Sequence, residues 1–243
     1  MARLTLSDVT VDLPIYHASG RSMRRHALQG ALGRKLRLDG SHVTVRALEG
    51  IDLDLADGDR LALLGENGAG KSVLLRTMAG VYAPVRGRVA RLGRVTPLLS
   101  HGVGLDVNAT GLENIFLLGM HLDVPPREMR GRVDEIVAWA ELGPFIAAPV
   151  RTYSAGMIMR LAFAVSTSTA PDILLIDEGL GVVDAAFQHK AQERMSAFVG
   201  GTSILVLASH SAELLGLWCR DGVRLQGGRI VERGPVAELR GQP

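Results

Sequence analysis

The chain contains few of the residues that build disulfide frameworks, aromatic binding surfaces or membrane spans. Its 243 residues include one cysteine, Cys219, which excludes an internal disulfide and a multi-thiolate metal site and favours a reducing compartment. Aromatic residues make up 4% of the chain, too few for a stacking surface that binds single-stranded nucleic acid. The longest apolar run without a charge, residues 195–209, falls short of the roughly 20 residues that a spanning helix needs.

Charge is nearly balanced, since 27 Lys+Arg and 25 Asp+Glu leave a formal charge of +2. This balance gives no case for general nucleic-acid binding, and we expect any membrane role to come through a partner. One segment departs from it, because residues 18–46 carry seven basic residues against one acid, Asp39. Apolar residues there recur at helical spacing. The segment is either a solvated surface insertion or a basic amphipathic helix that contacts anionic lipid headgroups or a membrane partner.

Hydrophobic residues make up 47% of the chain, enough for a sizeable core in one large α/β domain. Alternation of apolar and polar residues predicts half-buried strands at residues 3–11 and 43–55. Short apolar runs and turn residues predict further strands at residues 60–64, 173–176, 203–208, 223–225 and 229–232. Helical spacing predicts helices at residues 73–80, 111–122, 126–142 and 154–169. The order of these elements indicates an α/β core that carries a helical insertion.

The strongest motif is the glycine-rich sequence GENGAGKS at residues 65–72, which fits GxxxxGK[ST] between an apolar strand and a helix. Its glycines let the backbone curl so that successive N–H groups point at phosphate oxygens, and the following helix adds its positive end. We expect Lys71 to reach the β- and γ-phosphates of ATP and the Ser72 hydroxyl to ligate Mg²⁺. A glycine turn without a ligand is the alternative. The predicted nucleotide-binding residues here are Gly65, Glu66, Asn67, Gly68, Ala69, Gly70, Lys71, Ser72 and Val73.

Two acids follow the apolar run at residues 173–176. Asp177 is placed at the carboxyl end of a buried strand, where parallel sheets bind their ligands, and we expect it to hold Mg²⁺ directly or through water. Glu178 is then the candidate to orient and deprotonate the attacking water. The alternative is a capped, solvated strand end, which the neighbouring glycine-rich motif makes the weaker interpretation.

A third motif, YSAGM at residues 153–157, completes a pattern that resembles the ATP-binding cassette (ABC) ATPases. Ser154 is a good N-cap, and Gly156 permits close approach of an anion to the helix start. The resemblance implies that this helix end contacts the γ-phosphate held by a second subunit. It also implies that Asp184 couples the two cassettes and that His210, a catalytic residue with Glu178, hydrogen-bonds the γ-phosphate.

The resemblance also implies a fold and a domain organisation. We expect the ABC ATPase fold, an α/β P-loop core with an N-terminal antiparallel β subdomain and an inserted helical subdomain. In a single domain over residues 1–243, residues 1–99 and 170–243 are expected to form the core, and residues 100–169 the helical insertion.

Several segments resemble the ABC ATPases that export polysaccharides such as O-antigen, capsule or teichoic acid; they lie at residues 12–16, 110–115, 149–157, 160–164 and 184–188. This resemblance implies an ATP-hydrolysing subunit that sandwiches two ATP molecules with its own copy. It also implies a polytopic permease partner and a peripheral position on the cytoplasmic face of the cell membrane. Tyr16 is our candidate for stacking on adenine. Because the chain ends directly after the core, it resembles the members without an additional carbohydrate-binding domain.

The chain departs from the family pattern at three places. Residues 95–102 contain no glutamine where most cassettes have one that senses Mg²⁺ and the permease, and Ser100 and His101 are the nearest polar substitutes. Val73 replaces a usual threonine, and Val183 stands where the subgroup often has glycine.

Three alternative functions remain. The first is the ATPase subunit of a drug or lipid exporter with the same fold. The second is a soluble ABC ATPase acting on nucleic acid, which the single cassette without coiled coils or zinc motifs disfavours. The third is a P-loop kinase or GTPase, against which the signature motif and His210 both argue.

Overall fold

A computed structural model describes residues 1–15, 36–39, 42–98, 104–177 and 185–239. The strands are β1 (Arg3–Ile15), β2 (Leu36–Asp39), β3 (His42–Ala56), β4 (Arg60–Leu64), β5 (Arg86–Leu92), β6 (Val95–Leu98), β7 (Ile173–Asp177), β8 (Ile204–Ala208), β9 (Asp221–Gln226) and β10 (Arg229–Pro235). The α-helices are α1 (Lys71–Ala79), α2 (Gly111–His121), α3 (Pro126–Arg130), α4 (Val133–Ala140), α5 (Ala155–Ser166), α6 (Ala185–Gly200), α7 (Ala212–Trp218) and α8 (Val236–Leu239). Short 3₁₀ helices span Gly143–Ala147 and Val150–Thr152.

The strands form two sheets. An antiparallel sheet has the order β2-β3-β1-β5, and a second sheet has the order β10-β9-β4-β8-β7-β6. In the second sheet β9, β4, β8, β7 and β6 run parallel, and β10 pairs antiparallel with β9 at its edge. The helices α2 to α5 lie between β6 and β7 in the chain. The predicted combination of an antiparallel β part with an α/β core is therefore confirmed.

The long antiparallel strands follow from the alternation in the sequence. The predicted strand at residues 3–11 extends to Ile15, and the alternation from residue 43 to 55 forms the single strand β3. Leu53 and Leu55 point into the core, and Asp54 between them pairs with Arg3 on the other face. Within the basic segment 18–46, residues 36–39 and 42–46 are strand, and the predicted amphipathic helix lies outside the described residues.

Two cores cover the two faces of the parallel sheet. On one face α1 and the antiparallel sheet share a core in which Leu4, Leu63 and Leu74 are fully buried. On the other face α6 packs against β7 and β8 through residues such as Met195.

Cys219 belongs to this second core, and burial raises the pKa of its thiol to about 12, which makes it an inert apolar residue at neutral pH.

The helices between β6 and β7 form a third core, which we call the helical cluster; its fully buried members include Ile115, Met129, Ile136 and Leu161. Here the predicted single helix over residues 126–142 is wrong. The chain leaves α3 at Gly131 through hydrogen bonds to residues three positions back, and α4 begins at Val133. Glycine is a poor helix former, and the break allows both short helices to contribute to the cluster.

No helix in the described part of the chain is long and apolar enough to cross a membrane.

Candidate nucleotide-binding site

The predicted phosphate-binding loop, residues 65–72, connects β4 to α1 at the carboxyl end of the parallel sheet. Gly65, Gly68 and Gly70 have φ angles of 140°, 80° and 115°, which side-chain-bearing residues adopt only under strain. A Cβ on Gly65 would lie 2.4 Å from the carbonyl oxygen of Leu225, so this glycine also permits close packing against β9. The loop therefore needs glycine at all three positions.

Lys71 lies at the start of α1 with 8% of its surface exposed. Its Nζ donates hydrogen bonds to the carbonyl oxygens of Gly65, at 2.6 Å, and of Glu66, at 3.2 Å. The ammonium group is thus held across the loop, beside the positive end of the helix. Together these groups make the loop a place where negative charge is favoured.

The loop borders a cavity of about 250 Å³. Its lining consists of loop residues and of one stretch of β3, namely Val45, Arg46, Ala47, Glu66, Asn67, Gly68, Gly70, Lys71, Ser72 and Val73. The guanidinium of Arg46 donates to both carboxylate oxygens of Asp12, at 2.8 and 2.9 Å, which raises the pKa of Arg46. The sequence does not predict the β3 residues of this lining, because their approach to the loop depends on how the two sheets pack.

The far end of α1 is fixed as firmly as its start. Gly80 adopts a φ of 89° and ends the helix, as the sequence predicts, with its N–H bonded to the carbonyl oxygen of Thr77. The Arg91 guanidinium, from β5, donates to the carbonyl oxygens of Thr77 and Met78 and so places a cation at the negative end of the helix. Burial lowers the pKa of Arg91.

The strand register places three predicted site segments at one edge of the sheet. Leu63 of β4 pairs with Ala208 of β8, and Ala208 pairs with Asp177 of β7. The phosphate-binding loop follows β4, Asp177 ends β7 and His210 follows β8. All three therefore lie at the same edge of the sheet. Asp177 is half-buried and His210 is exposed.

The residues present fit a magnesium nucleotide. The loop is a cradle that Cβ atoms at its glycines would strain, and the Ser72 hydroxyl and Asp177 carboxylate are the oxygen ligands that Mg²⁺ prefers. Within the described residues no cluster of three or more His, Cys, Asp or Glu side chains could hold a metal ion by itself.

The third predicted element begins α5. Ser154 is its N-cap, and the Ser154 hydroxyl accepts a hydrogen bond from the N–H of Met157 at 3.2 Å. Ser154 is exposed, and a Cβ on Gly156 would meet only the Ser154 hydroxyl, at 3.8 Å, so the helix start is open. Behind it, buried Tyr153 donates from its hydroxyl to the Phe145 carbonyl oxygen at 2.6 Å, and burial raises the Tyr153 pKa.

Ser154 and Gly156 lie at the start of α5, a helix of the helical cluster that packs on α2 and α4. Three further predicted site residues, Tyr16, Glu178 and Asp184, lie outside the described residues. The roles assigned to all these residues stay predictions.

Comparison with known proteins identifies the family. The ABC transporter family model matches residues 48–181, which is more than half of the chain. The chain belongs to the ABC transporter family. The predicted family and the predicted ATP-hydrolysing class of enzyme are thereby confirmed.

Relatives of this ABC protein include ATP-binding proteins of O-antigen and teichoic acid export. It is 44% identical to the O-antigen export system ATP-binding protein RfbE of Yersinia enterocolitica, over 96% of this chain and 98% of that protein. It is 39% identical to RfbB of Myxococcus xanthus, over 90% of this chain and 49% of that protein. The teichoic acids export ATP-binding protein TagH of Lactococcus lactis is 36% identical over 79% of this chain and 41% of that protein. The resemblance to the polysaccharide-export subgroup is confirmed.

Solved structures show the same fold. The ATP-binding subunit of an ABC transporter superimposes with a TM-score of 0.69 at 21% identity, over 98% of this chain and 92% of that one. A dimeric post-hydrolysis ATP-binding cassette bound to ADP and Pi superimposes with a TM-score of 0.66 at 19% identity, over 96% and 98%. The predicted ABC ATPase fold is therefore confirmed.

Proposed function

We propose that this ABC protein hydrolyses ATP to drive export of a polysaccharide or lipid-linked glycan. It does so as a homodimer bound to a polytopic permease at the cytoplasmic face of the cell membrane. The observation that carries the proposal is the 44% identity to an O-antigen export ATP-binding protein over nearly the full length of both chains. The loop geometry supports the nucleotide part of the proposal independently of any relative.

The phosphate-binding loop binds the triphosphate. Lys71 turns its ammonium from the loop carbonyls to the β- and γ-phosphates, and the positive end of α1 stabilises the same charge. Ser72 and Asp177 would hold Mg²⁺, which when bound would neutralise charge on the phosphates. Tyr16 stacks on the adenine ring.

Glu178 and His210 act on the γ-phosphate. Glu178 orients a water molecule and accepts its proton as the water oxygen attacks the γ-phosphorus. The bond from the γ-phosphorus to the bridging oxygen breaks, and the electron pair leaves with ADP. His210 follows β8 at the same edge as the loop, and it hydrogen-bonds the γ-phosphate oxygens as charge builds on them.

The second half of each site comes from the partner copy. The start of α5 is open and exposed, and in its own chain it belongs to the helical cluster. Ser154 and Gly156 of one copy therefore contact the γ-phosphate on the loop of the other, and Asp184 couples the two cassettes. Closure performs work because the closed pair binds ATP more tightly than the open pair.

The permease docks on the helical part, which we place at residues 100–169. Val107, Leu112 and Met120 are exposed there, with 52%, 42% and 53% of their surfaces accessible. Exposed apolar residues close together in the chain support a contact surface for a membrane partner. The basic segment 18–46 assists by attracting anionic headgroups.

The cargo is tested by deleting the gene and analysing cell glycans. We expect a completed glycan to accumulate inside the cell, and we expect the wild-type gene but not Glu178→Gln to restore export. Glu213→Gln, at an exposed position of α7, is the matched control and restores export. If the deletion strain instead has normal surface glycan and becomes drug-sensitive or mislocalises a lipid, the cargo is not a glycan. That result would favour a drug or lipid exporter.

A further inference from the structure

The carbonyl group of Ala69, in the middle of the phosphate-binding loop, is held by a turn 159 residues later in the chain, between β9 and β10. We propose that this turn braces the loop from outside and that Gly228 is a positioning residue for ATP binding. The inference rests on the proposed role of the loop in binding ATP.

Two backbone hydrogen bonds pass through Gly228. Its N–H donates to the carbonyl oxygen of Ala69 at 2.9 Å, and its own carbonyl oxygen accepts from the N–H of Glu49 at 2.8 Å. Ala69 is buried, with 6% of its surface exposed, so the first bond is shielded from water. Gly228 therefore connects the loop to β3 through backbone groups alone.

The bond to Ala69 sets the direction of a donor inside the cradle. In a trans peptide the C=O and the following N–H lie in one plane and point in opposite directions. Because the Ala69 carbonyl points to Gly228, the N–H of Gly70 points away from Gly228, and Gly70 lines the cavity beside the loop. Moving the turn would rotate this peptide and with it a phosphate-binding N–H group.

Only glycine fits this position of the turn. Gly228 has a φ of 87°, and a Cβ there would lie 2.4 Å from the carbonyl oxygen of Ala47 and 3.0 Å from its carbon. Both are backbone atoms of β3, so neither can move as a flexible side chain does. An added methyl group would push the turn away from β3 and from the loop together.

Gly58 offers a matched comparison. It lies in the turn between β3 and β4 with a φ of 94°, and a Cβ there would meet nothing within 4 Å. Alanine at either position carries a similar backbone strain. Only alanine at position 228 also collides with the segment that borders the loop.

A charged contact holds the same turn on β3. Arg229 pairs with Glu49 at 2.9 Å between Nη2 and Oε2. Further along the same two strands, the Arg233 guanidinium donates to the carbonyl oxygen of Asp52. Arg229 therefore acts beside the loop and Arg233 away from it, although both join β10 to β3.

The first test measures the Kd of a fluorescent ATP analogue for the full chain, well below the melting temperature of every variant. We expect Gly228→Ala to weaken binding about tenfold or more, since small misplacements of binding groups are costly, and Gly58→Ala to bind like the wild type. Equal Kd values for Gly228→Ala and the wild type would overturn the inference. So would an equal loss of affinity for the ATP analogue in Gly228→Ala and Gly58→Ala.

The second test does not require an added side chain. Arg229→Gln should raise the Kd about threefold, as loss of an exposed ion pair allows, while Arg233→Gln leaves it unchanged. If Gly228→Ala does not fold, the comparison of Arg229→Gln with Arg233→Gln replaces the first test. Equal Kd values for these two variants would then overturn the inference. Wild-type protein that binds no ATP would overturn the proposed function. Binding that Lys71→Ala removes and the turn variants do not change would overturn this inference alone.

Discussion

The guanidinium of Arg160 lies over the ring of Phe187, 5.1 Å from its centroid. Arg160 is on α5, whose start carries Ser154, and Phe187 is in the first turn of α6, directly after the segment that contains Glu178 and Asp184. Trp139 of α4 packs edge-on against the same ring, with 4.7 Å between the two ring centroids. The Phe187 ring is buried, so these contacts connect α6 to α5 and α4.

Phe187→Leu tests this link. It keeps an apolar side chain but removes the ring that Arg160 and Trp139 contact. We expect the Kd for ATP to stay unchanged and kcat to fall about tenfold, because the loop stays intact while the segment that contains the proposed base, Glu178, loses its support. The control is Phe163→Leu, which removes a ring that also packs on Trp139, at 5.2 Å. An equal fall of kcat in both variants would indicate a general packing effect.

Lys71→Ala tests the phosphate-binding loop. Removing the ammonium should raise the Kd for ATP about 10- to 100-fold, because hydrogen bonds to charged groups contribute about 1.5–3 kcal/mol. The control is Lys190→Ala, which removes a lysine that donates to the carbonyl oxygen of Trp139 at 3.0 Å. We expect that variant to lose thermal stability and to keep its Kd, measured by nucleotide titration. Wild-type affinity in Lys71→Ala would contradict the role of Lys71.

Thr96→Val should stabilise the fold. The Thr96 hydroxyl is fully buried on β6 and has no hydrogen-bond partner among the residues that the structure describes. Valine has nearly the same shape, so the free energy of unfolding should rise by about 1 kcal/mol in denaturant titrations. Thr202→Val is the opposite case, because the Thr202 hydroxyl donates to the carbonyl oxygen of Val199 at 2.7 Å. We expect this substitution to lower the free energy of unfolding. Destabilisation by both would show that Thr96 has a partner.

Acid should weaken the attachment of α3 to Arg94, the residue that precedes β6. The Glu128 carboxylate accepts from Arg94 at 3.3 Å, and this hydrogen bond, with further help from Arg132, lowers the pKa of Glu128 below its ordinary value of 4.5. A carboxyl whose pKa is lower in the folded state stabilises the fold above the unfolded pKa, and this stabilisation is lost as the pH falls through the folded value. The melting temperature of Glu128→Gln should therefore lie below that of the wild type at neutral pH, and the difference should shrink below about pH 4.5. A difference independent of pH would contradict this assignment.

Local signals predicted the elements that carry the motifs. The apolar run at residues 60–64 forms β4, and Gly80 ends α1. Both features could be predicted because each depends on a few adjacent residues. The break at Gly131 was missed, since a single glycine is compatible with a continuous helix until packing decides. Gly228 could be read only as a turn residue, because its contacts with Ala47 and Ala69 arise from the packing of distant strands.

The proposed mechanism requires that two copies of this chain close on ATP through residues of both. Sedimentation of Glu178→Gln with ATP tests it most directly, because loss of hydrolysis should trap the closed pair. We predict a dimer with ATP and a monomer with ADP, and we predict that adding Ser154→Arg restores the monomer while ATP remains bound. The proposed dimer would be excluded by a protein that stays monomeric at saturating ATP. It would also be excluded by a dimer that forms equally with ATP and ADP and persists after Ser154→Arg.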